Sequence, residues 1–130
     1  MKSMRTLISV TICFFAVSLS AQDASVTPLF QTNLGDIEGR EGLMVIVDYP
    51  PGVSSAAHRH NAHTFVFVLE GSVVMQVEGG ERVVLGPEQV FYETPDDIHV
   101  VSMNASTTEP AKILVFFVKH QGAPVTVPAG

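Results

Sequence analysis

The chain has 130 residues, 7 Lys and Arg against 13 Asp and Glu, a formal net charge of −6 and a single cysteine. That balance argues against nucleic acid or an anionic membrane surface as a partner, and one cysteine cannot build a disulfide framework. The length suits one domain of ordinary size.

Met1 to Arg5 carries Lys2 and Arg5 and no acid. Thr6 to Leu19 is mostly apolar, and Ser20 and Ala21 are small. A basic start, a short apolar run and a small-residue end form the pattern of a secretory signal peptide. Residues 1–21 are therefore expected to be a cleaved signal, and the mature protein to be secreted or periplasmic. The alternative is a membrane anchor, which needs about 20 apolar residues; the run here is interrupted by Ser9, Thr11 and Ser18. Cys13 would leave with the signal, so disulfides and thiolate metal sites are both excluded from the mature chain. Cleavage would also raise the negative charge, leaving 5 basic against 13 acidic residues, with no membrane contact expected. An exported small domain without disulfides depends on its apolar core, a metal or a partner subunit.

Residues 22–42 read as a polar, Gly-punctuated N-terminal arm with no helical period. From 43 to 120, short apolar runs alternate with turn chemistry. Leu43–Asp48 is closed by Pro50-Pro51-Gly52, and Thr64–Leu69 by Glu70-Gly71. Val73–Val77 and Arg82–Leu85 flank Gly79-Gly80, a hairpin signal. Gly86-Pro87 precedes Val90–Tyr92, and Ile98–Ser102 and Lys112–Val118 complete the set. Seven short strands without a helix-length amphipathic segment predict an all-β sandwich or barrel. The densest runs, Phe65–Leu69 and Ile113–Val118, read as buried on both faces. Residues 121–130, with Pro124 and Pro128, read as a C-terminal tail or an edge arm against a second subunit.

Three of the five histidines, His58, His60 and His63, crowd together. Residues i and i+2 of a strand share a face, so His58 and His60 project side by side, and His99 opens another strand after a Pro-containing turn. A lone histidine in such a place is more often a solvated turn residue. The pair on one strand with a third beyond the hairpin instead predicts one divalent ion, Fe, Mn, Ni, Zn or Cu, on His58, His60 and His99.

Pro51-Gly52, His58-x-His60 and Val68-Leu69-Glu70-Gly71 resemble the first motif of the cupin family, and Gly86 through Pro95-Asp96-Asp97-Ile98-His99 to Asn104 resembles the second. The resemblance covers Leu43 to Val118. It implies a double-stranded β-helix, a jelly-roll barrel, and a homodimer. Two departures stand out. The family's glutamate would fall at Thr64 or Phe65, and neither is a carboxylate; the second motif is compressed, with Asp97 where glycine is usual.

For the missing ligand, His63 is a candidate if a bulge around Asn61–Ala62 turns it inward. Thr64 is a candidate hydroxyl donor to substrate or to a metal-bound water, and Gln76 a further inward polar group. Glu93, near the expected barrel mouth, is a candidate general base, although fixing the following turn is the plainer role. Asp96 and Asp97 either orient His99 or simply build that turn. Phe65, Phe67 and Phe91 are expected in the barrel wall, lining a ligand pocket.

The expectation is an exported mononuclear metal cupin acting on a small organic molecule, dioxygenase-like or isomerase-like. The resemblance implies this, since some cupin dioxygenases hold iron through three histidines. The alternative is a non-catalytic module that captures a small ligand or a metal, because fold does not decide function.

Overall fold

The computed structural model describes residues 23–130; the expected signal peptide lies outside them. Eleven strands follow in order: β1 (Ser25–Asn33), β2 (Arg40–Tyr49), β3 (Ser54–Ser55), β4 (His58–Arg59), β5 (His63–Glu70), β6 (Val73–Val77), β7 (Val83–Leu85), β8 (Val90–Glu93), β9 (His99–Asn104), β10 (Ala111–His120) and β11 (Val127–Pro128). No helix occurs among the described residues. The pairing is antiparallel throughout. One sheet runs β1-β2-β10-β5-β8; the other runs β11-β4-β9-β6-β7, with β3 also on β9. Two such facing sheets are the all-β double-stranded β-helix, or jelly roll.

Alternating side chains carry the core. In β2 and β10 the inward residues meet across the ladder as Leu43 with Phe117, Val45 with Val115, Val47 with Ile113 and Tyr49 with Ala111. β5 extends that layer by placing Thr64, Val66 and Val68 opposite Phe117, Val115 and Ile113. Val73 and Met75 of β6 are fully buried on the facing sheet. Burying a side chain of this size stabilises the fold by about 1.5–3 kcal/mol.

Two local features hold the ends of this core. Gly71 has φ +69°, and a Cβ there would lie 2.4 Å from the Pro110 carbonyl oxygen, so only glycine fits the turn after β5. Asn104, 1% exposed, donates to the carbonyls of Tyr49, Pro50 and Glu109 at 2.8–3.2 Å and accepts from the Ser106 amide at 2.8 Å. At the other end of the β2–β10 ladder, buried Lys119 pairs with Glu41 and donates to the Ala123 carbonyl at 2.7 Å. That pairing, with a hydrogen bond from Gln31, holds the Glu41 carboxyl below its ordinary value.

Several expectations need correction. The arm at 22–42 contains a full strand, β1, paired along β2. The Gly79-Gly80 segment is no two-residue hairpin: the last β6–β7 pair is Met75 with Val83, and a tight turn from Val77 to Gly80 sits within the wider loop. β5 is buried on one face only. Phe65, Phe67 and Leu69 are 38–47% exposed on the outer side, beside Tyr92 and Phe116.

Candidate metal centre

Backbone pairing brings the histidines together. His58 on β4 lies directly opposite His99 on β9, and His60 follows two residues along on the same side. Asn61 then takes a positive φ of 49° as the chain leaves one sheet for the other, a conformation asparagine tolerates. Side-chain parity survives this corner. Ala62 and Thr64 stay buried, and His63 stays exposed. One donor atom from each of His58, His60 and His99 lies within 4.8 Å of the others.

The hydrogen-bond directions decide what this cluster accepts. His58 Nδ1 donates to the Ala56 carbonyl at 2.8 Å, and His60 Nδ1 donates to the Val125 carbonyl at 2.7 Å. Carbonyls only accept, so the hydrogen of each neutral ring sits on Nδ1 and each Nε2 presents a lone pair. Those two Nε2 atoms face each other at 3.1 Å. Two lone pairs cannot bond one another; a cation between them resolves the contact. Burial pushes the His60 imidazole below its ordinary 6.5, against the opposing pull of the Val125 hydrogen bond and the Glu93 charge. The neutral ring, the form that binds metal, is thereby favoured.

His99 is 4% exposed, and neither of its ring nitrogens has a hydrogen-bond partner. Glu93, 3% exposed, reaches it from β8. Its Oε1 lies 2.8 Å from His99 Nδ1 but off the N–H direction, and its Oε2 lies 3.7 Å from His60 Nε2. Oε2 also has no hydrogen-bond partner. Buried polar atoms are ordinarily satisfied, so an unpartnered His99 ring and Glu93 Oε2, next to two opposed lone pairs, fit a divalent ion held by one nitrogen of each histidine.

The cluster opens on a cavity of about 420 Å³ between the sheets. Its walls are mainly apolar, including Val45, Val66, Met75 and Val115, and Ala24, Val26 and residues 125–128 also line it. Phe117 packs on His60 at 4.9 Å and Phe91 on His99 at 5.9 Å between ring centroids. Away from the histidines, Tyr49 and Ser102 share a buried hydroxyl hydrogen bond of 2.6 Å on the cavity wall.

Not every candidate reaches this site. His63 lies on the outer face, its Nδ1 2.7 Å from the Tyr92 hydroxyl, and does not join the cluster. Thr64 lines the cavity with its hydroxyl directed at the Ala62 carbonyl at 3.4 Å. Gln76 donates to the Gly80 carbonyl at 3.0 Å and serves the hairpin loop. Phe65 and Phe67 line an outer groove of about 530 Å³, shared with Phe91 and Tyr92, and not the histidine cavity. Asp97 caps the Thr94 amide at 2.6 Å and builds the turn. Sequence reasoning missed the Tyr49–Ser102 pair and the Val125 carbonyl. Inward parity in β2 was a signal for Tyr49; nothing in the sequence announced that the tail folds back onto His60.

The family model for a cupin domain matches residues 45–117. The chain is a cupin. No curated protein matches it by sequence. Among solved structures, this cupin is similar to a protein of Thermus thermophilus, with 26% identity over 75% of this chain and 84% of that one and a TM-score of 0.61. It is also similar to a double-stranded β-helix protein of Klebsiella pneumoniae, with 21% identity, 85% and 88% coverage and a TM-score of 0.65. A third similar structure is the DMSP lyase DddQ of Ruegeria pomeroyi, with 22% identity and a TM-score of 0.59; the match covers 68% of this cupin and 43% of that chain.

Proposed function

We propose that this cupin is an exported mononuclear metal protein that converts a small organic molecule, dioxygenase-like or isomerase-like, at His58, His60 and His99. The opposed Nε2 atoms of His58 and His60, 3.1 Å apart in the lining of an apolar cavity, carry this reading. Export rests on the signal pattern of residues 1–21. The exposed outer face around Phe65, Phe67 and Tyr92 is the kind of apolar surface that subunits cover, and supports a homodimer.

The chain's own groups assign the roles. Carbonyls of Ala56 and Val125 fix the tautomers of His58 and His60, as outer partners of metal-bound histidines do. A divalent ion held there would supply a Lewis acid for substrate oxygens and, if it is iron, redox chemistry with dioxygen. The valines, Ile113 and Phe117 exclude water from the substrate body. The Tyr49–Ser102 pair holds two hydroxyl hydrogens and uses one in its mutual bond, so the other is free to bind a substrate acceptor. That a structurally similar protein is a DMSP lyase supports small-molecule chemistry in a barrel of this kind.

The test is turnover. Iron-loaded protein, with His99→Ala as the control, is screened with diketones, thiols and flavonoids for oxygen consumption and product. Turnover that disappears in the variant supports the enzyme reading. Saturable ligand binding without product would replace it with a capture module.

A further inference from the structure

We propose that Glu93 is the fourth protein ligand of the metal centre, so that β8 supplies the carboxylate the family motif would place on β5. The inference rests on the metal site proposed above and adds a ligand that the motif does not contain. Thr64, the inward-facing one of the two positions where that motif would place glutamate, stands directly opposite Glu93 in the β5–β8 ladder. Opposite residues have Cβ atoms about 4.5–5.5 Å apart on one face of the sheet. A longer side chain from position 93 therefore reaches the space that a carboxylate at position 64 would fill. Both residues are buried, at 3% and 1% exposure, and both line the histidine cavity.

Charge and geometry agree with this placement. A carboxylate out of water needs a paired cation or a metal. Among the described residues no Lys or Arg forms an ion pair with Glu93; only His60 and His99 approach it. Its Oε2 has no hydrogen-bond partner. A role limited to orienting His99 would put Oε1 on the Nδ1–H direction, yet the 2.8 Å approach misses that direction and leaves Nδ1 without a hydrogen bond. Atoms close together but not bonded to one another are the arrangement of ligands converging on a shared ion. Hard carboxylate and imidazole donors together suit first-row divalent metals.

The experiment is a Co(II) titration of the mature protein, read by calorimetry for affinity and by visible absorption for the ligand field. Wild type, Glu93→Gln and Thr64→Glu in the Glu93→Gln background are compared. Wild type should take one Co(II) per chain. Glu93→Gln keeps the size and an acceptor for His99, but should bind at least tenfold more weakly with a changed spectrum. Thr64→Glu should then restore affinity by returning a carboxylate from the facing strand, which also shows that the barrel remains folded. Glu93→Gln with wild-type affinity and spectrum overturns the proposal while leaving the three-His site standing. Weaker binding with an unchanged spectrum also overturns it, making Glu93 a positioning residue for His99. Wild type that binds no Co(II) overturns the metal site and this ligand together.

Discussion

Deleting residues 125–130 should weaken metal binding more than it weakens the fold. The tail folds back so that β11 pairs Val127 with Arg59 and Pro128 with His58, and the Val125 carbonyl accepts from His60 Nδ1 at 2.7 Å. Cutting before Val125 removes that acceptor but keeps the Ala123 carbonyl on Lys119. A hydrogen bond of this type contributes about 1 kcal/mol to stability. For a domain of about this size 1 kcal/mol corresponds to roughly 4–8 °C in Tm, and the metal-free truncation should melt at least that much lower, because the β11 pairing and the packing of Val125 are lost with the bond. Removing the group that orients a ligand histidine costs about 10- to 100-fold in metal affinity. Without the carbonyl, His60 is free to place its hydrogen on Nε2 and to rotate away from His58. Competition against a chelator of known affinity measures the change, and differential scanning calorimetry of both metal-free proteins supplies the stability control. Equal affinity in the truncated and full chains would refute the role assigned to the tail.

Two further predictions concern the scaffold. Because Lys119 and Gln31 hold the Glu41 carboxyl below its ordinary 4.5, the unfolded chain binds that proton first. The pair's contribution is then present above about pH 4.5 and lost as pH falls through the folded value. Glu41→Gln should therefore melt lower than wild type at neutral pH, with the gap closing in acid; a gap that stays constant to low pH would contradict this. Asn104→Ala strands three carbonyls and the Ser106 amide, and should cost about 1–3 kcal/mol in urea unfolding.

Much of this architecture is legible in the chain. The apolar runs around Val45, Val66, Met75 and Val115 become β2, β5, β6 and β10 within a few residues, since period-2 burial leaves a direct trace in sequence. The pair His58-x-His60 signals a shared face in the same way. β1 leaves no such trace because every residue in it is exposed, so nothing forces its sequence to alternate. β5 misleads for the opposite reason: Phe65, Phe67 and Leu69 make its outer face as apolar as its inner one, and a strand with two apolar faces reads as fully buried. His63 could be tested only against the parity of the Asn61 corner, a backbone property. The place of Glu93 was hardest to read. It depends on which residue faces Thr64 across the ladder, and cross-strand register is set by the fold as a whole rather than by the residues near Glu93. The contact between the tail and His60 is likewise a long-range event, joining residues 65 apart in sequence.

The central claim is that His58, His60 and His99 hold one ion, and metal content tests it most directly. Mature wild-type protein and His60→Ala are purified in parallel and assayed by elemental mass spectrometry, as isolated and after exposure to Fe, Mn, Ni, Cu and Zn. A three-histidine site predicts about one ion per chain in wild type and none in the variant. Wild type that stays empty with every metal, or His60→Ala that retains a full complement, would contradict it.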